Sequence, residues 1–308
     1  MSDIEDRLAR LESRLEARQD TSAAQHETTA QQREPIAASR ERSEPAPDAP
    51  RDLAAVLAGM EREDGVYLVT DDHELQAMDA DLGANYRLAN DIDASLTGGW
   101  NDGAGFEPVG GFGDPFTGTF DGDGHTIHGL TSSRGEDVGL FGWNDGLVES
   151  VGIEAGDITG DDFVGGVVGV NDRDGELRQV YATGTVSATS DAVGGLVGVN
   201  AEGTVRASCA AVDVSGDTEV GGLVGVNLTG TVSNVSAAGT VSGTTGVGGL
   251  VGLNFGGAVR DAHAAGTVSG DFDVGGLVGL SEFGAVHDSH ATGSVSGGDR
   301  LEHPSPIS

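Results

Sequence analysis

The chain of 308 residues contains no lysine, a single cysteine and few aromatic side chains. All 16 basic residues are arginine, against 50 acidic residues, and the formal net charge is −34. Such a charge repels itself in dilute buffer, whereas at about 1 M salt the Debye length is roughly 3 Å and the repulsion is screened. The composition therefore predicts an acidic protein of a halophile, of archaeal type. It argues against bare nucleic acid or an anionic membrane surface as a partner.

The shortage of cysteine and of long apolar runs excludes further classes of protein. The lone Cys209 excludes an intramolecular disulfide framework, and no Cys/His spacing matches a structural zinc site. No run approaches the roughly 18 apolar residues of a transmembrane helix. The N-terminus is charged where a signal peptide would carry its apolar segment. We therefore expect no membrane insertion, and the sequence offers no export signal from which to assign a location.

A glycine-rich apolar heptad, in contrast, occurs six times. It reads Gly-Gly-Leu-Val-Gly-Val-Asn in the copies that begin at 194 and 221. All copies begin at 138, 165, 194, 221, 248 and 275, so the steps are 27, 29, 27, 27 and 27. A fixed period of this length indicates a stacked repeat architecture, and helical or propeller repeats need about 33 to 50 residues per unit. Three short strands separated by glycine turns fit one coil of a parallel β-helix, with coils about 4.8 Å apart.

The composition changes along the chain predict five regions. Residues 1–20 carry a short heptad seam that favours a weak coiled-coil helix, and residues 21–50 have the polar, proline-containing composition of a disordered linker. Residues 51–137 are assigned to an N-terminal cap and first coils, 138–297 to the repeat β-helix and 298–308 to a disordered tail.

The cap segment carries local signals of its own. Asp52 is placed to cap a short helix that runs through Met60. A strand at Val66–Thr70 and a second short helix around His73–Met78 are expected to follow. The predicted fold class is thus all-β, a parallel β-helix of about six 27-residue coils preceded by short helices.

The repeats resemble the GLUG motif, which is named for its Gly-Leu-hydrophobic-Gly core. The segment from Tyr86 to Leu130, with Leu-Ala-Asn-Asp-Ile-Asp, Phe-Glu-Pro-Val-Gly and Phe-Asp-Gly-Asp-Gly-His-Thr-Ile, resembles the cap and first coil that precede such repeats. The resemblance covers about residues 64 to 297. It implies a right-handed β-helix of the kind found in bacterial and archaeal surface proteins and adhesins, with no common catalytic residue. His73-Glu74 lacks the second histidine of a zinc-protease helix.

Each heptad places a leucine directly before a valine, as in Leu196-Val197. Alternate residues of a strand face opposite sides, so we expect one of the two to point outward. Strands that are apolar on both faces usually have both faces covered. The pattern therefore predicts a flat apolar outer face, covered by a second subunit, the N-terminal segment or a ligand.

Acidic residues recur in the turns that enter the heptads. Two carboxylates one coil apart could bind Ca²⁺ or act as an acid/base pair, but general acidic decoration of turns explains them better, and Thr244-Thr-Gly246 interrupts the series. Turn chemistry similarly explains the run from Asp121 to His125, Asp-Gly-Asp-Gly-His. The acidic turn residues are Asp161, Asp162, Asp191, Asp217, Glu219, Asp271 and Asp273.

One further column of residues recurs at the period of the repeat: Cys209, Ser236, His263 and His290. It is predicted to face outward, and a two-histidine metal site there lacks obvious third and fourth ligands. Asn227-Leu-Thr and Asn234-Val-Ser match the glycosylation sequon, which matters only in an exported protein.

We assign no catalytic, cofactor-binding or metal-binding residue. The predicted function is a non-enzymatic adhesion or structural module that presents a rigid repetitive face. Self-association through the N-terminal helix and the apolar face, and a carbohydrate or protein ligand, are the expected partners. A viral tail-fibre or spike protein is the alternative that suits the missing export signal, and a polysaccharide-cleaving β-helix enzyme is the third. The resemblance favours a cell-surface location, and the fibre alternative a virion.

Overall fold

The computed structural model describes residues 48–297. The predicted coiled coil at 1–20, nearly all of the linker at 21–50 and the tail at 298–308 lie outside the described residues and stay predictions. Within the described part, none of the helices has the length and apolar character needed to span a membrane.

A small helical cap opens the described chain. Helix α1 (Leu53–Gly59) begins after Asp52, whose Oδ1 accepts a hydrogen bond of 3.0 Å from the backbone N–H of Ala55. Helix α2 (Asp72–Ala77) begins after Asp71, which caps it in the same way. Both predicted short helices and the Asp52 cap are confirmed. Three 3₁₀ segments complete the helical structure of the described residues: Met78–Ala80, Ser95–Gly99 and Asn101–Gly103.

The strands of the described residues form three sheets, one of 20 strands and two of six. The 20-stranded sheet contains β1 Arg62–Glu63, β2 Val66–Val69, β3 Tyr86–Leu88, β4 Ile92–Asp93, β5 Thr119–Asp121, β6 Thr126–His128, β7 Thr131–Ser133, β10 Leu147–Glu149, β11 Gly152–Gly160, β14 Glu176–Arg178, β15 Tyr181–Ala188, β18 Thr204–Arg206, β19 Cys209–Ser215, β22 Thr231–Ala238, β23 Thr240–Ser242, β26 Ala258–Ala264, β27 Thr267–Gly270, β30 Ala285–His287, β31 His290–Ala291 and β32 Val295–Gly297.

The two six-stranded sheets are built from the heptads and the residues before them. The first contains β8 Glu136–Val138, β12 Asp162–Gly165, β16 Asp191–Gly194, β20 Thr218–Gly221, β24 Thr245–Gly248 and β28 Phe272–Gly275. The second contains β9 Phe141–Asn144, β13 Val168–Asp172, β17 Val197–Ala201, β21 Val224–Leu228, β25 Val251–Phe255 and β29 Val278–Glu282.

Successive coils pair in parallel, with equivalent heptad residues in register. Val197 pairs with Val224, and Val224 with Val251, each one repeat further along the chain. The predicted all-β parallel β-helix is therefore confirmed. It has about seven turns rather than six, because β5, β6 and β7 form a coil before the first heptad and pair with β10 and β11.

The prediction that either the leucine or the following valine of each heptad points outward, and so forms an apolar outer face, is wrong. Leu196 and Val197 are both fully buried in the main core, together with Val193. The reason is a bend: β16 ends at Gly194 and β17 begins at Val197, so strand alternation does not apply between the two side chains. The leucine therefore lies at a corner and points into the coil, as does the valine after it.

The last apolar residue of each heptad is the one that faces away from the main core. Val199 is nevertheless fully buried, in a second cluster that includes Ala192 and Phe163. The cluster forms because the two six-stranded sheets lie face to face, with β17 packing on β12 of the preceding coil. The chain itself thus covers the second face of the heptad strands.

Glycine makes this close approach feasible. The fifth heptad residue, Gly225, lies against the backbone of the preceding coil, where a Cβ atom would be 2.7 Å from Val193 N and 2.8 Å from Ala192 C. Gly198 and Gly252 have equivalent surroundings. The glycines of the repeat therefore set the spacing between the two six-stranded sheets.

The asparagine that ends each heptad forms a buried ladder. The side-chain amides are linked head to tail along the solenoid, for example from Asn200 Nδ2 to Asn227 Oδ1 at 2.9 Å. The Nδ2 group also donates to a nearby backbone carbonyl, as from Asn227 to Gly230 at 3.2 Å. These bonds satisfy polar groups that would otherwise be costly to bury. The members are Asn144, Asn171, Asn200, Asn227 and Asn254, and Ser281 accepts the final bond.

Residues with left-handed backbone turn the chain at the corners of the coils, and most of those in the described part are not glycine. At equivalent corners of four successive coils, all on the side of the 20-stranded sheet, Gln179, Ala207, Asn234 and Asp261 have φ between 50° and 56°. A non-glycine residue in this region costs roughly 1–2 kcal/mol, which the rest of the coil must offset.

Replacing Ala207 with glycine is expected to raise the free energy of unfolding by about 0.5–1 kcal/mol. The strain at φ 51° is removed, and the gain is reduced by the greater freedom of glycine in the unfolded chain. Ala211→Gly is the matched control, because Ala211 is exposed within β19 and has no left-handed backbone. Glycine at position 211 should lower the free energy of unfolding by about 0.5–1 kcal/mol. Denaturant unfolding measures both changes, and the same sign for both would contradict the prediction.

Candidate ligand-binding groove

Two ladders of outward side chains run side by side along the 20-stranded sheet. Their inward neighbours, such as Val205 and Ala210, are buried in the core. The first outer ladder contains Arg87, Asp121, Glu149, Arg178, Arg206, Ser233, Arg260 and His287. The second outer ladder contains Thr126, Gly152, Tyr181, Cys209, Ser236, His263 and His290.

The predicted column of Cys209, Ser236, His263 and His290 is therefore confirmed as a ladder in register. Cys209 and His290 are exposed, as expected for an outer position. The His263 and His290 rings stack with centroids 4.5 Å apart and planes 28° apart.

An open groove of about 410 Å³ lies toward the N-terminal end of this face. It spans the two outer ladders and the corner residues between them. Its lining is mostly polar, with three acidic side chains, and consists of Asp121, Asp123, Gly124, Glu149, Ser150, Val151, Gly152, Gln179 and Tyr181.

Tyr181 forms one wall of the groove. Its ring lies over Gly152, where a Cβ atom would be 2.2 Å from Tyr181 Cζ, so only glycine leaves room for the ring. The phenol donates a hydrogen bond of 2.7 Å to Glu154 Oε1. This bond, with burial as a second cause, raises the pKa of Tyr181 to about 12. The ring is therefore held in one place and stays neutral over the physiological pH range.

Replacing Glu154 with glutamine is expected to lower the pKa of Tyr181 from about 12 toward 10. The carboxylate favours the protonated phenol both by accepting its hydrogen bond and by repelling the phenolate. Absorbance or carbon NMR titration of Tyr181 measures the shift. Tyr86 is the internal control: burial is the main cause of its raised pKa, and Glu154 is not among the causes. Its titration should not move, and an unchanged Tyr181 titration would contradict the prediction.

The acidic rim is fixed by turns and one ion pair. Asp121 Oδ1 accepts a bond of 2.9 Å from the N–H of Asp123, which has φ 50°, and Gly124 follows with φ 81°. The Asp-Gly-Asp-Gly-His run is thus a turn, as predicted. Glu149 pairs with Arg178.

The arrangement can accept hydrogen bonds from a ligand that is rich in hydroxyl groups. The carboxylates of Asp121 and Asp123 and the amide of Gln179 line the groove, and Tyr181 adds an aromatic ring. Sites for small ligands commonly combine such a ring with a few polar groups that fix orientation. The negative lining disfavours an anionic group at this end of the face.

The acidic turns that enter the heptads bind the neighbouring coils instead of converging. Asp162 Oδ1 accepts a bond of 3.0 Å from the N–H of Asp191, and Asp161 Oδ1 accepts one of 2.7 Å from Thr189. Thr218 Oγ1 lies within hydrogen-bonding distance of Asp191 in the preceding coil and, at 2.8 Å, of the adjacent Glu219, and its single proton serves one of them at a time.

Within residues 48–297, three potential metal ligands come together at one place, Asp71, Asp72 and His73. Asp71 there caps α2, and Asp72 bonds to His73 at 2.8 Å. The structure therefore does not bring the acidic turn residues of this part together into such a cluster.

The two sequons have different environments. Asn227 is fully buried in the asparagine ladder, so its amide is inaccessible in the folded chain. Asn234 is an exposed corner residue with φ 52°.

Sequence reasoning did not identify the groove or the Tyr181–Glu154 pair. A signal was present, because Glu154 lies one coil before Tyr181 and Gly152 occupies the position beneath the ring in the same ladder. Recognising this signal would have required the register of the preceding coil, whose strand Gly152–Gly160 lacks the Gly-Thr-Val-Ser sequence of the repeat.

Comparisons with known proteins agree with the repeat architecture. A model of the GLUG motif matches residues 164–187, 216–242, 243–269 and 270–296. Halomucin of Haloquadratum walsbyi is 41% identical over 175 residues, which are 53% of this chain and 2% of halomucin. The chain thus corresponds to a very small part of that relative.

A crystal structure of a protein from Bacteroides ovatus, described as a candidate immunoglobulin A1 protease, superposes with a TM-score of 0.69. It is 24% identical, and the superposition covers 84% of this chain and 86% of that one. At this identity the likeness concerns the fold alone. The motif matches and the parallel coils together show that residues 164–187 and 216–296 are GLUG-motif repeats of an acidic parallel β-helix.

Proposed function

We propose that this protein is a non-enzymatic surface module of a halophile, in which the β-helix is a rigid support for a ligand-binding face. The observation that carries the proposal is the pair of outer ladders, which place the side chains of successive coils in register along one sheet. The buried asparagine ladder and the glycine contacts hold that register. Such a face suits repeated contacts with an extended ligand.

The similarity to halomucin supports a surface or structural role in a high-salt environment. The charge of −34 without lysine supports the same environment. The protease description of the Bacteroides protein rests on a different chain that shares 24% identity, and supports no activity here. In the groove, Glu149 is paired with Arg178 and Tyr181 with Glu154, an arrangement that holds side chains in place for binding.

The ligand class that the groove favours is a saccharide with free hydroxyl groups. Its carboxylates and the Gln179 amide would accept and donate hydrogen bonds, while the Tyr181 ring would contact an apolar sugar face. Self-association through residues 1–20 stays a prediction, since those residues lie outside the described part.

Location of the intact protein tests the surface role. Cells grown in high salt would be shaved with protease, and peptides from the surface, the cytosol and released particles identified by mass spectrometry. Peptides of residues 48–297 in the shaved fraction are expected. Recovery from cytosol alone would overturn the proposal, and enrichment in released particles would favour a viral fibre instead. A cytosolic enzyme measured in the same fractions controls for lysis.

A further inference from the structure

We propose that the C-terminal end of the same face is a second binding site, which takes the carboxylate or sulfate groups of an acidic glycan. The site, called here the cationic patch, consists of Arg260, His263, His287 and His290. Arg260 and His287 are neighbours in the first outer ladder, and His263 and His290 are neighbours in the second.

Arg260 carries the first part of the argument, because it is exposed and has no internal partner. Within residues 48–297, it makes no hydrogen bond, ion pair or ring contact. Its neighbours in the ladder are Ser233 and His287, neither of them acidic. The other arginines of this part are engaged, Arg51 with Asp48, Arg62 with Tyr67, Arg87 with Glu63, Arg134 with Gly105, Arg173 with Asp172, Arg178 with Glu149 and Arg206 with Glu176.

An unpaired guanidinium is unusual in a chain with 50 acidic residues and 16 basic ones. A guanidinium can form two parallel hydrogen bonds to a carboxylate or to a similar oxyanion. In molar salt, long-range repulsion by the remainder of the protein is screened within roughly 3 Å, so contact groups determine what binds. Arg260 is therefore available to an external anion.

The three histidines provide the second part. His263 and His290 stack at 4.5 Å, and His263 Nε2 lies 3.1 Å from Thr292 Oγ1. His287 and His290 are exposed. Neighbouring rungs are about 4.8 Å apart, so one ligand can contact all four side chains of the patch. The patch does not gather three metal ligands within residues 48–297, which argues against a metal as its ligand.

Imidazole and guanidinium groups both present N–H donors to an oxyanion. Two carboxylates lie beside the patch, those of the exposed corner residues Asp261 and Asp288, and neither forms an ion pair with the patch. Arg260 and His287 therefore keep N–H donors for the oxygen atoms of an external anion.

The position of the patch identifies a glycan as the source of the anionic group. Four rungs of the second outer ladder separate Tyr181 from His290, which is about 19 Å at the spacing of β-strands. A single extended polymer with hydroxyl and acidic groups can contact both ends of the face. The choice of a glycan rests on the proposed function of the groove, whereas the anion specificity rests on the patch alone.

Binding of defined polysaccharides to the full chain tests the proposal. Dextran sulfate, polygalacturonate and neutral dextran would be compared by biolayer interferometry in the same molar NaCl. Both acidic polymers are expected to bind. Arg260→Gln should weaken their binding by about tenfold, as for loss of a charged hydrogen bond. The double variant His263→Gln/His290→Gln should also weaken it, because two imidazole rings of the patch are lost.

Arg51→Gln is the matched control, because Arg51 is an exposed arginine of the cap and lies outside the patch. Thermal melts confirm folding of each variant. Unchanged binding by Arg260→Gln, equal binding of duplex DNA, or binding that requires an added metal would each overturn the proposal. Tyr181→Ala separates the two sites. If Tyr181→Ala loses binding of neutral dextran and keeps binding of the acidic polymers, the result supports the groove. If the native chain binds the acidic polymers but not neutral dextran, the result contradicts the groove and supports the patch.

Discussion

Replacing Asn227 with alanine is expected to lower the free energy of unfolding by about 3–5 kcal/mol. Asn227 accepts from Asn200 at 2.9 Å and donates to Asn254 at 2.8 Å and to Gly230 O at 3.2 Å. All of these asparagines are fully buried. The substitution removes all three bonds and leaves Asn254 Oδ1 without a donor, while Asn200 Nδ2 and Gly230 O keep one partner each, in Gly203 O and the N–H of Ala258. A lost hydrogen bond costs about 0.5–1.5 kcal/mol and an unsatisfied buried group about 1–3 kcal/mol. Denaturant unfolding in constant high salt measures the change.

Asn234→Gly serves as the control for the ladder. Asn234 is exposed, makes no side-chain hydrogen bond within the described residues and has φ 52°, a conformation that glycine adopts readily. Asn234→Gly should change the free energy of unfolding of the protein by less than about 1 kcal/mol. Equal losses for Asn227→Ala and Asn234→Gly would show that the ladder contributes little, contrary to the expectation.

Gly225→Ala is the second substitution with a large expected effect. The added Cβ would lie 2.6 Å from Gly198 O, 2.7 Å from Val193 N and 2.8 Å from Ala192 C. These are backbone atoms of packed strands, which cannot move aside as a flexible side chain can. The two six-stranded sheets must separate locally. Overpacking typically costs about 1–3 kcal/mol, and we expect a loss at the upper end of that range because all three contacts are with backbone atoms. Thermal and denaturant unfolding measure the loss.

The matched control is Gly111→Ala. A Cβ at Gly111 meets nothing within 4 Å, and its φ is not in the left-handed region. We expect a change within about 0.5 kcal/mol. A loss at Gly111 as large as that at Gly225 would mean that alanine is harmful wherever glycine occurs in this chain, which would contradict the packing explanation.

The architecture could be predicted to a large extent because it is repetitive. A residue in one coil lies beside its equivalent in the next coil, so the columns follow from the period of the sequence. The ladder of Cys209, Ser236, His263 and His290 is confirmed on that basis. The first short helix was predictable for a different reason, since Asp52 is a local capping signal, and the structure shows that Asp71 caps the second helix in the same way.

The direction of individual side chains was less predictable. Alternation assigned Leu196 and Val197 to opposite faces, whereas both are buried. Alternation holds only within a continuous strand, and the bend between Gly194 and Val197 interrupts it. The sequence does not indicate that Ala192 and Phe163 are corner residues. Neither is glycine, and the coil imposes their left-handed backbone.

By itself, the sequence determined the repeat period, the stacked parallel architecture, the helical cap and the high-salt character of the surface. Each of these depends on local pattern or on composition. The tertiary structure alone decided the close contact between the two six-stranded sheets, the groove beside Tyr181 and the unpaired state of Arg260. These depend on where the corners turn the chain and on which side chains meet across neighbouring coils. Such contacts join residues that belong to different coils, and no local signal specifies them.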